Sequence, residues 1–279
     1  MKRLILNADD YGRALSVSAG IRQAHREGIV TSTTAMMNMD GILDDLRAAQ
    51  AECPALGLGV HLTLTAEAPV LNPERVPSLL ALAGGPCFPT VAALAAGVAS
   101  VNPDEVRAEW RAQIEKFVGL TGRNPTHLDS HHHSSYFSPA WFAGMLALAR
   151  EFECAIRLPW PRQPPAAGMA GGSQAALMAR LQQFAPAALA AAPVPHPDNF
   201  EIGFYAEGAT QASLLDLLRH LPEGTTEIMC HPGLPDDGLP ALTSYTTARA
   251  RELEILTDPD VRRAVAENGV KLVSFAVFN

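Results

Sequence analysis

The sequence predicts an α/β fold in which parallel strands form a sheet or a barrel, as a single domain over residues 1–279. Two patterns carry this prediction. Short apolar segments alternate with amphipathic segments of helical period along the chain, which is typical of βαβ units. Acidic and histidine residues follow several apolar segments directly, where parallel α/β folds build their active sites. The length of 279 residues suits one barrel, which needs about 250.

The first three elements are predicted to be a strand, a helix and a strand. Residues 3–8 form an apolar run that leads into a polar tip. Residues 17–24 carry apolar side chains at helical spacing, and Gly28 is placed to end that helix. Residues 29–37 are apolar and β-branched, which favours a strand.

A second helix over 41–52 and a third strand over 56–64 continue the alternation. Residues 69–101 are rich in Pro, Ala and Gly and are predicted to be an excursion over the surface. Asn102 then starts a helix that runs to about residue 120. A capping Asn, a Pro at the first helical position and acidic residues in the first turn are a strong start signal.

The second half of the chain repeats the pattern. Residues 126–131 are predicted to be a strand, a helix opens at Ser138 and ends near residue 151, and a strand covers 154–158. Residues 159–197 are rich in Pro and Ala and are predicted to be a second surface excursion that frames a cleft. The remaining predicted strands are 225–230 and 270–275.

The composition indicates a globular protein and argues against several kinds of partner. Hydrophobic residues make up 48% of the chain and charged residues 18%. A net charge of −8 without a run of like charges argues against nucleic acid. No stretch approaches the roughly 20 apolar residues of a membrane span, and no secretory signal is evident. We expect a cytoplasmic protein with a small-molecule substrate and no membrane partner, and a homo-oligomer is compatible with the sequence.

The four cysteines, Cys53, Cys87, Cys154 and Cys230, are widely scattered. They form no CxxC pair, so the sequence suggests neither a disulfide framework nor a zinc ribbon. We expect buried free thiols in a reducing compartment.

The first chemical motif is Asn7-Ala8-Asp9-Asp10-Tyr11-Gly12. Two neighbouring carboxylates at the tip of a buried strand are costly to keep ionised, and a metal ion would offset that cost. One of the two could bind the metal while the other acts as a general base. The alternative is an Asx turn or a helix N-cap.

The second motif is Thr126-His127-Leu128-Asp129-Ser130-His131-His132-His133. Alternation along a strand would place His127, Asp129, His131 and His133 on one face. At the carboxyl end of the strand, His131 could reach a metal, with Asp129 or His127 orienting the ligands. A solvated polar loop is the alternative.

Three further strand residues complete the candidate site. His61 lies inside the apolar run 57–64, where Gly57 and Gly59 on the same face would leave room for an approaching group. His231 follows the strand 225–230 and could protonate a leaving group, although a strand-end cap is the alternative. Arg157, also near a strand end, could bind a substrate oxygen or hold a carboxylate in place.

One Asp with two His residues forms an open set of ligands suited to a divalent ion that keeps water. The shared position of these groups at strand ends predicts a metal-dependent hydrolase. Two imidazoles favour zinc or a similar transition metal, and a weak open site can also take magnesium.

With these residues in place, the sequence resembles the YdjC-like carbohydrate deacetylase family, and within it the chitooligosaccharide deacetylase branch. The matches occur in order over nearly the whole chain. Besides the two motifs above, they are Gly28-Ile29-Val30-Thr31-Ser32-Thr33-Thr34-Ala35, Gly59-Val60-His61-Leu62-Thr63-Leu64-Thr65, Glu227-Ile228-Met229-Cys230-His231-Pro232 and Ala250-Arg251-Glu252-Leu253-Glu254-Ile255-Leu256-Thr257.

The resemblance implies a distorted TIM-like barrel of parallel strands and helices. It also implies removal of acetyl groups from N-acetylated sugars such as chitooligosaccharides or diacetylchitobiose, free or phosphorylated, with a divalent metal such as Mg²⁺ or Zn²⁺. Carried over residue by residue, it makes Asp10, His61 and His131 the metal ligands, Asp9 the catalytic base and His231 the catalytic acid.

The sequence departs from the family pattern at three places, and two rival functions stay open. The family commonly has Phe where Tyr11 stands and often His where Ser135 stands, and residues 159–197 match poorly. A different amide or a phosphoester is one rival substrate for the same metal site. A non-catalytic sugar-binding protein is the other rival.

Overall fold

The computed structural model describes residues 1–159 and 172–279. In these ranges eight strands are present: β1 Lys2–Tyr11, β2 Ser32–Ala35, β3 Gly57–Leu62, β4 His127–Ser130, β5 Ala155–Ile156, β6 Asn199–Glu201, β7 Gly224–Cys230 and β8 Lys271–Leu272. The α-helices there are α1 Leu15–Glu27, α2 Ile42–Glu52, α3 Pro77–Ala81, α4 Val91–Gly97, α5 Pro103–Thr121, α6 Pro139–Glu151, α7 Gly172–Ala191, α8 Gln211–His220, α9 Thr247–Thr257 and α10 Pro259–Glu267.

The strands form one curled parallel sheet in the order β5-β4-β3-β2-β1-β7-β6, and β8 pairs with the start of β1. Every strand pair of this sheet is parallel. Helices surround the sheet, so the predicted distorted TIM-like barrel is confirmed. Because all strands run the same way, their carboxyl ends collect at one mouth.

The two faces of β1 show how the layers divide. Leu4, Leu6 and Ala8 belong to the large apolar core that also includes the helices. Ile5 points the other way and packs with Ala155 and Phe275 inside the barrel. Alternation along the strand therefore aims Asn7 and Asp9 at the interior, above an apolar floor.

Among the residues that the structure describes, no continuous backbone ladder closes the barrel. Strands β5 and β6 are the two ends of the sheet order. Beside β5, the Ile156 amide donates to the Pro195 carbonyl at 3.0 Å. Between the two edges, the Arg157 guanidinium lies 5.5 Å from the centre of the Phe200 ring. We call this gap between β5 and β6 the seam.

Several predicted elements are confirmed with shorter or shifted bounds. The Asn102 side chain caps α5 by accepting the Asp104 amide at 3.0 Å, as the sequence predicted. The predicted strand 29–37 contracts to β2, since residues 36–40 leave the sheet for a turn. The predicted strand 126–131 stops at Ser130, where a 3-10 turn begins.

The two surface excursions contain helices. Residues 69–101 hold α3 and α4, and residues 159–197 hold α7, while residues 160–171 lie outside the described part of the chain. Strand β6 and the helices α8, α9 and α10 were not predicted. Within the described residues, no helix combines the length and hydropathy of a membrane span. Cys53, Cys154 and Cys230 are buried free thiols as expected, but Cys87 is exposed, because it lies in a surface loop before α4.

Candidate metal centre and active site

Asp10, His61 and His131 meet at the mouth of the barrel. Asp10 ends β1, His61 lies near the end of β3, and His131 follows β4. The distance from Asp10 Oδ1 to His131 Nδ1 is 3.1 Å, and that to His61 Nε2 is 3.4 Å. The two imidazole nitrogens are 3.2 Å apart. The structure thus brings the three predicted ligand residues into one cluster.

The chemistry of this cluster fits a divalent cation. Metal–ligand bonds of about 2.1 Å at tetrahedral or octahedral angles place neighbouring ligand atoms about 3.0–3.4 Å apart. The three measured separations fall in this interval. Asp10 Oδ1 is also a buried acceptor without a hydrogen-bond donor among the described residues. A buried carboxylate oxygen without a donor is costly unless a cation meets it.

Asp129 orients His61. Its Oδ1 lies 2.6 Å from His61 Nδ1, and Thr34 donates to its Oδ2 at 3.0 Å. This contact turns His61 Nε2 toward Asp10 and His131, in the arrangement of a histidine ligand backed by a carboxylate. Burial alone would lower the pKa of His61, but the Asp129 and Asp10 carboxylates raise it to about 10. The carboxylates around His61 therefore favour a positive charge at the position of its ring.

A buried guanidinium holds Asp9 beside the cluster. Arg157 Nη1 and Nη2 each donate to one oxygen of Asp9 at 2.7 Å, and Arg157 Nε donates to Glu227 Oε1 at 2.8 Å. Arg157 Nη1 also lies 3.1 Å from Asp129 Oδ2. Burial would raise the pKa of Asp9, but Arg157 holds it well below its ordinary value. Such a bidentate pair fixes both the charge and the direction of the carboxylate.

The contacts of Arg157 distinguish between two possible groups of metal ligands. Asp9, His61 and Asp129 also form a compact group of potential ligands. Arg157 binds both oxygens of Asp9 and its Nη1 lies 3.1 Å from Asp129 Oδ2, whereas Asp10 keeps Oδ1 without a donor among the described residues. The set with Asp10 is therefore the better metal site. Arg157 is fully buried, and its contacts are those of a residue that holds carboxylates. Direct binding of substrate by Arg157 stays a prediction, and this burial argues against it.

His231 lies on the other side of Asp9. Its Nε2 is 3.9 Å from Asp9 Oδ2, and its ring packs edge-on against the half-buried Tyr205 and Tyr245. The His231 backbone amide donates to Glu252. Burial lowers the pKa of His231 to about 4 despite the nearby carboxylates. The ring is therefore neutral near pH 7 and can carry a proton only in transit.

The histidine run does not continue as a strand. His132 and His133 have φ values of 55° and 56°, in the left-handed region, so the expected alternation ends before them. His131 alone of the three enters the cluster. The His132 ring packs against His131 at 3.9 Å and His133 faces Phe200, which places both beside the mouth.

The room predicted beside Gly59 is occupied by His127 of the neighbouring strand β4. A methyl group at Gly59 would lie 2.6 Å from the His127 ring. That ring stacks on Phe275 at 3.7 Å inside the barrel. Gly59 therefore makes room for His127, which sits below the site and has no contact with the metal cluster among those described.

Sequence reasoning missed part of the site. Arg249 in α9 donates to Asp10 Oδ2. Tyr245 donates to Glu252, which in turn holds the His231 amide. Tyr205 stacks on Tyr245 with ring centres 4.6 Å apart. The one signal that could have found this group was the match over residues 250–257, which had no role assigned to it.

The departures from the family pattern have plain structural consequences. The Tyr11 hydroxyl donates to the Asp45 carbonyl at 2.6 Å and accepts from Arg22, on the helix side of the barrel. Ser135 is fully buried and hydrogen-bonds to Ser130 Oγ at 2.8 Å. It serves the turn after β4, because its hydroxyl points at the strand end.

Comparison with known proteins agrees with this architecture. The model of the family described as YdjC-like protein matches residues 3–267. A carbohydrate deacetylase from Enterococcus faecalis is 34% identical over 98% of this chain and 97% of its own. A chitooligosaccharide deacetylase from Yersinia pestis is also 34% identical, over 98% of both chains.

A solved structure shows the same fold over its full extent. The crystal structure of a protein from Enterococcus faecalis, provisionally described as a cellobiose-phosphate cleavage protein, superposes with a TM-score of 0.82. It is 34% identical, with 99% of this chain and 98% of that chain covered. A family model that spans almost the whole chain, with relatives of this identity, leaves one conclusion: the chain belongs to the YdjC-like protein family.

Proposed function

We propose that this protein is a divalent-metal-dependent hydrolase that removes the N-acetyl group from N-acetylated sugars such as chitooligosaccharides and releases acetate. The observation that carries the proposal is the cluster of Asp10, His61 and His131 with Asp9 and His231 beside it. The names of the relatives, carbohydrate deacetylase and chitooligosaccharide deacetylase, support the choice of substrate class.

Asp10 Oδ1, His61 Nε2 and His131 Nδ1 would hold the metal. When bound, a divalent cation supplies Lewis acidity, which polarises the acetyl carbonyl and lowers the pKa of water. The donor set of one oxygen and two nitrogens suits zinc or a neighbouring transition metal, and magnesium remains the alternative.

The residues of the chain supply the proton transfers. Asp9 accepts the proton of the attacking water as the new C–O bond forms at the acetyl carbon. Arg157 keeps that carboxylate ionised and aimed through two hydrogen bonds of 2.7 Å. The Asp9 proton then passes to His231 Nε2, which is neutral near pH 7 and lies 3.9 Å from Asp9 Oδ2. His231 gives this proton to the nitrogen of the departing amine as the C–N bond breaks. The short distance between the two side chains supports their pairing as base and acid.

The test is acetate release from N,N′-diacetylchitobiose, free and phosphorylated. Metal-stripped protein is reloaded separately with magnesium, zinc, manganese and cobalt. Acetate should appear only with metal and disappear in His131→Ala. The matched control is His220→Ala, because His220 is exposed on α8, away from the cluster.

Two other results would redirect the assignment. Phosphate release without acetate would indicate a phosphoesterase. Saturable sugar binding without turnover at any metal loading would indicate a non-catalytic binding protein. Cytoplasmic location of the enzyme and a homo-oligomeric state stay predictions, which fractionation and light scattering can check.

A further inference from the structure

Helix α9 contacts the ends of two strands that carry the candidate site. Arg249 in its first turn donates to Asp10 Oδ2 at the end of β1. Glu252, less than one turn later, accepts the His231 amide at the end of β7. The match over residues 250–257 belongs to this helix, although none of the proposed chemical steps uses it. Helix α9 therefore acts on the site through the residues that it contacts.

Arg249 is fixed on several sides. Its side chain is only 2% exposed. Nε donates to the Tyr245 carbonyl at 2.9 Å, and the guanidinium carbon lies 5.6 Å from the centre of the Tyr245 ring. Gly233 packs against its stem so closely that an added methyl group would lie 3.3 Å from Arg249 Cβ and Cδ. A guanidinium held this way has one orientation, and that orientation presents Nη2 to Asp10.

The contact leaves Asp10 with one oxygen for the cluster. Oδ2 is taken by Arg249, whereas Oδ1 faces His61 and His131 at 3.4 and 3.1 Å. The Asp10 backbone has a φ of 72°, in the left-handed region, which is costly for a non-glycine residue. Among the described residues, the other ion-pair partners of its carboxylate are the two imidazoles, which are themselves proposed ligands. Arg249 is thus the contact outside the ligand set that determines how the carboxylate is turned.

We propose that Arg249 is a positioning residue that makes Asp10 a one-oxygen ligand and thereby sets the metal affinity of the site. The proposal rests on the metal site proposed above and adds a residue to it. Partners that orient a ligand typically change metal affinity by about 10- to 100-fold when they are removed.

The two possible roles of Arg249, as a positive charge and as a positioning residue, predict opposite changes in metal affinity when the side chain is removed. If Arg249 acted only as a cation near the metal, its removal would tighten metal binding, because a repulsion would be lost. If it positions Asp10, its removal weakens binding, because the carboxylate is no longer held toward the imidazoles. Arg249→Lys separates the two further, since lysine keeps the charge but cannot reproduce the planar fork that contacts Asp10 and Tyr245 together.

The experiment titrates Co²⁺ into metal-stripped full-length protein by calorimetry and records the visible absorption of the bound ion. Wild type, Arg249→Met, Arg249→Lys and the control Arg251→Met are compared. Arg251 lies on the same helix but donates to the Ala206 carbonyl. We expect the Co²⁺ dissociation constant to rise at least about 10-fold in both Arg249 variants, with an altered visible spectrum, and to be unchanged in Arg251→Met. Thermal unfolding of each metal-free variant verifies that it is folded.

The outcomes separate this proposal from the metal site itself. Wild-type protein that binds no Co²⁺, or binds it equally well in His131→Ala, overturns the metal site and the role of Arg249 with it. Wild-type binding that depends on His131 but is unchanged or tighter in Arg249→Met overturns the positioning role alone. Loss of affinity in Arg249→Met with full retention in Arg249→Lys would keep the positioning role and overturn the requirement for the planar fork, because one ammonium contact would then hold Asp10.

Discussion

Glu227 is a fully buried carboxyl group in the interior of the barrel, and its replacement by glutamine should change how stability depends on pH. Glu227 Oε1 accepts from Arg157 at 2.8 Å and from Asn7 at 3.2 Å. Oε2 has no donor among the described residues. Burial raises the pKa of Glu227 from 4.5 to about 7, although Arg157 opposes the shift. Glutamine has nearly the same shape and resembles the protonated acid.

The sign and size of the change in stability follow from the pKa of Glu227 in the unfolded and folded states, 4.5 and about 7. Between 4.5 and about 7 the folded protein keeps a proton that the unfolded chain has released. The stability that this proton confers is fully present below pH 4.5 and is lost as the pH rises through about 7. At about 1.4 kcal/mol per pH unit, the loss is at most about 3 kcal/mol. Glu227→Gln has no such proton to lose.

The assay is urea unfolding of wild type and Glu227→Gln, both metal-free, followed by tryptophan fluorescence from about pH 5 to about pH 8. Titrating groups remote from position 227 act equally on both proteins, so the difference between the two free energies of unfolding removes their contribution. Wild type should lose up to about 3 kcal/mol relative to the variant across this range. A difference that does not change with pH, or that moves in favour of wild type at high pH, would refute the reasoning.

Three other substitutions test the site and its support. His131→Ala should abolish stoichiometric cobalt binding, measured by calorimetry, because one of three ligands is removed; unchanged binding would remove His131 from the site. Asp9→Asn should lower kcat for acetate release by about 10²- to 10⁴-fold while metal content, measured by elemental analysis, stays the same, since it removes a base and not a ligand. Gly59→Ala should destabilise the fold by about 1–3 kcal/mol in urea unfolding, because the new methyl group would lie 2.6 Å from both the ring and the backbone carbonyl oxygen of His127. A stability equal to wild type would contradict this reasoning, since it would require the β4 backbone to shift without cost.

The meeting of Asp10, His61 and His131 could be predicted from the sequence because strand ends are local features, while the choice of Asp10 over Asp9 as a proposed ligand came from the family resemblance. A run of apolar residues followed by Asp10 or His131 can be recognised without knowing the topology, and parallel strands then bring such ends together. His61 was harder, since a histidine within an apolar strand has no local mark of a ligand. Its assignment depended on the other two motifs.

The residues that hold the site in place could not be predicted in the same way. Arg249 and Asp10 are 239 positions apart, and their contact depends on the packing of a helix that the sequence reading did not locate. The left-handed conformations of His132 and His133 likewise come from the turn after β4, which alternation along a strand cannot anticipate. His127, the group that approaches Gly59, could not be named from the sequence because it belongs to another strand.

The seam between β5 and β6 has a mechanical consequence. Among the described residues, no ladder joins β5 to β6, and the seam is crossed by the Ile156–Pro195 backbone hydrogen bond and by the Arg157 guanidinium packed on Phe200. Because Arg157 also holds Asp9 through two hydrogen bonds, a displacement of the guanidinium would turn the Asp9 carboxylate with it. A change in the width of the mouth at the seam is therefore expected to change the direction of that carboxylate.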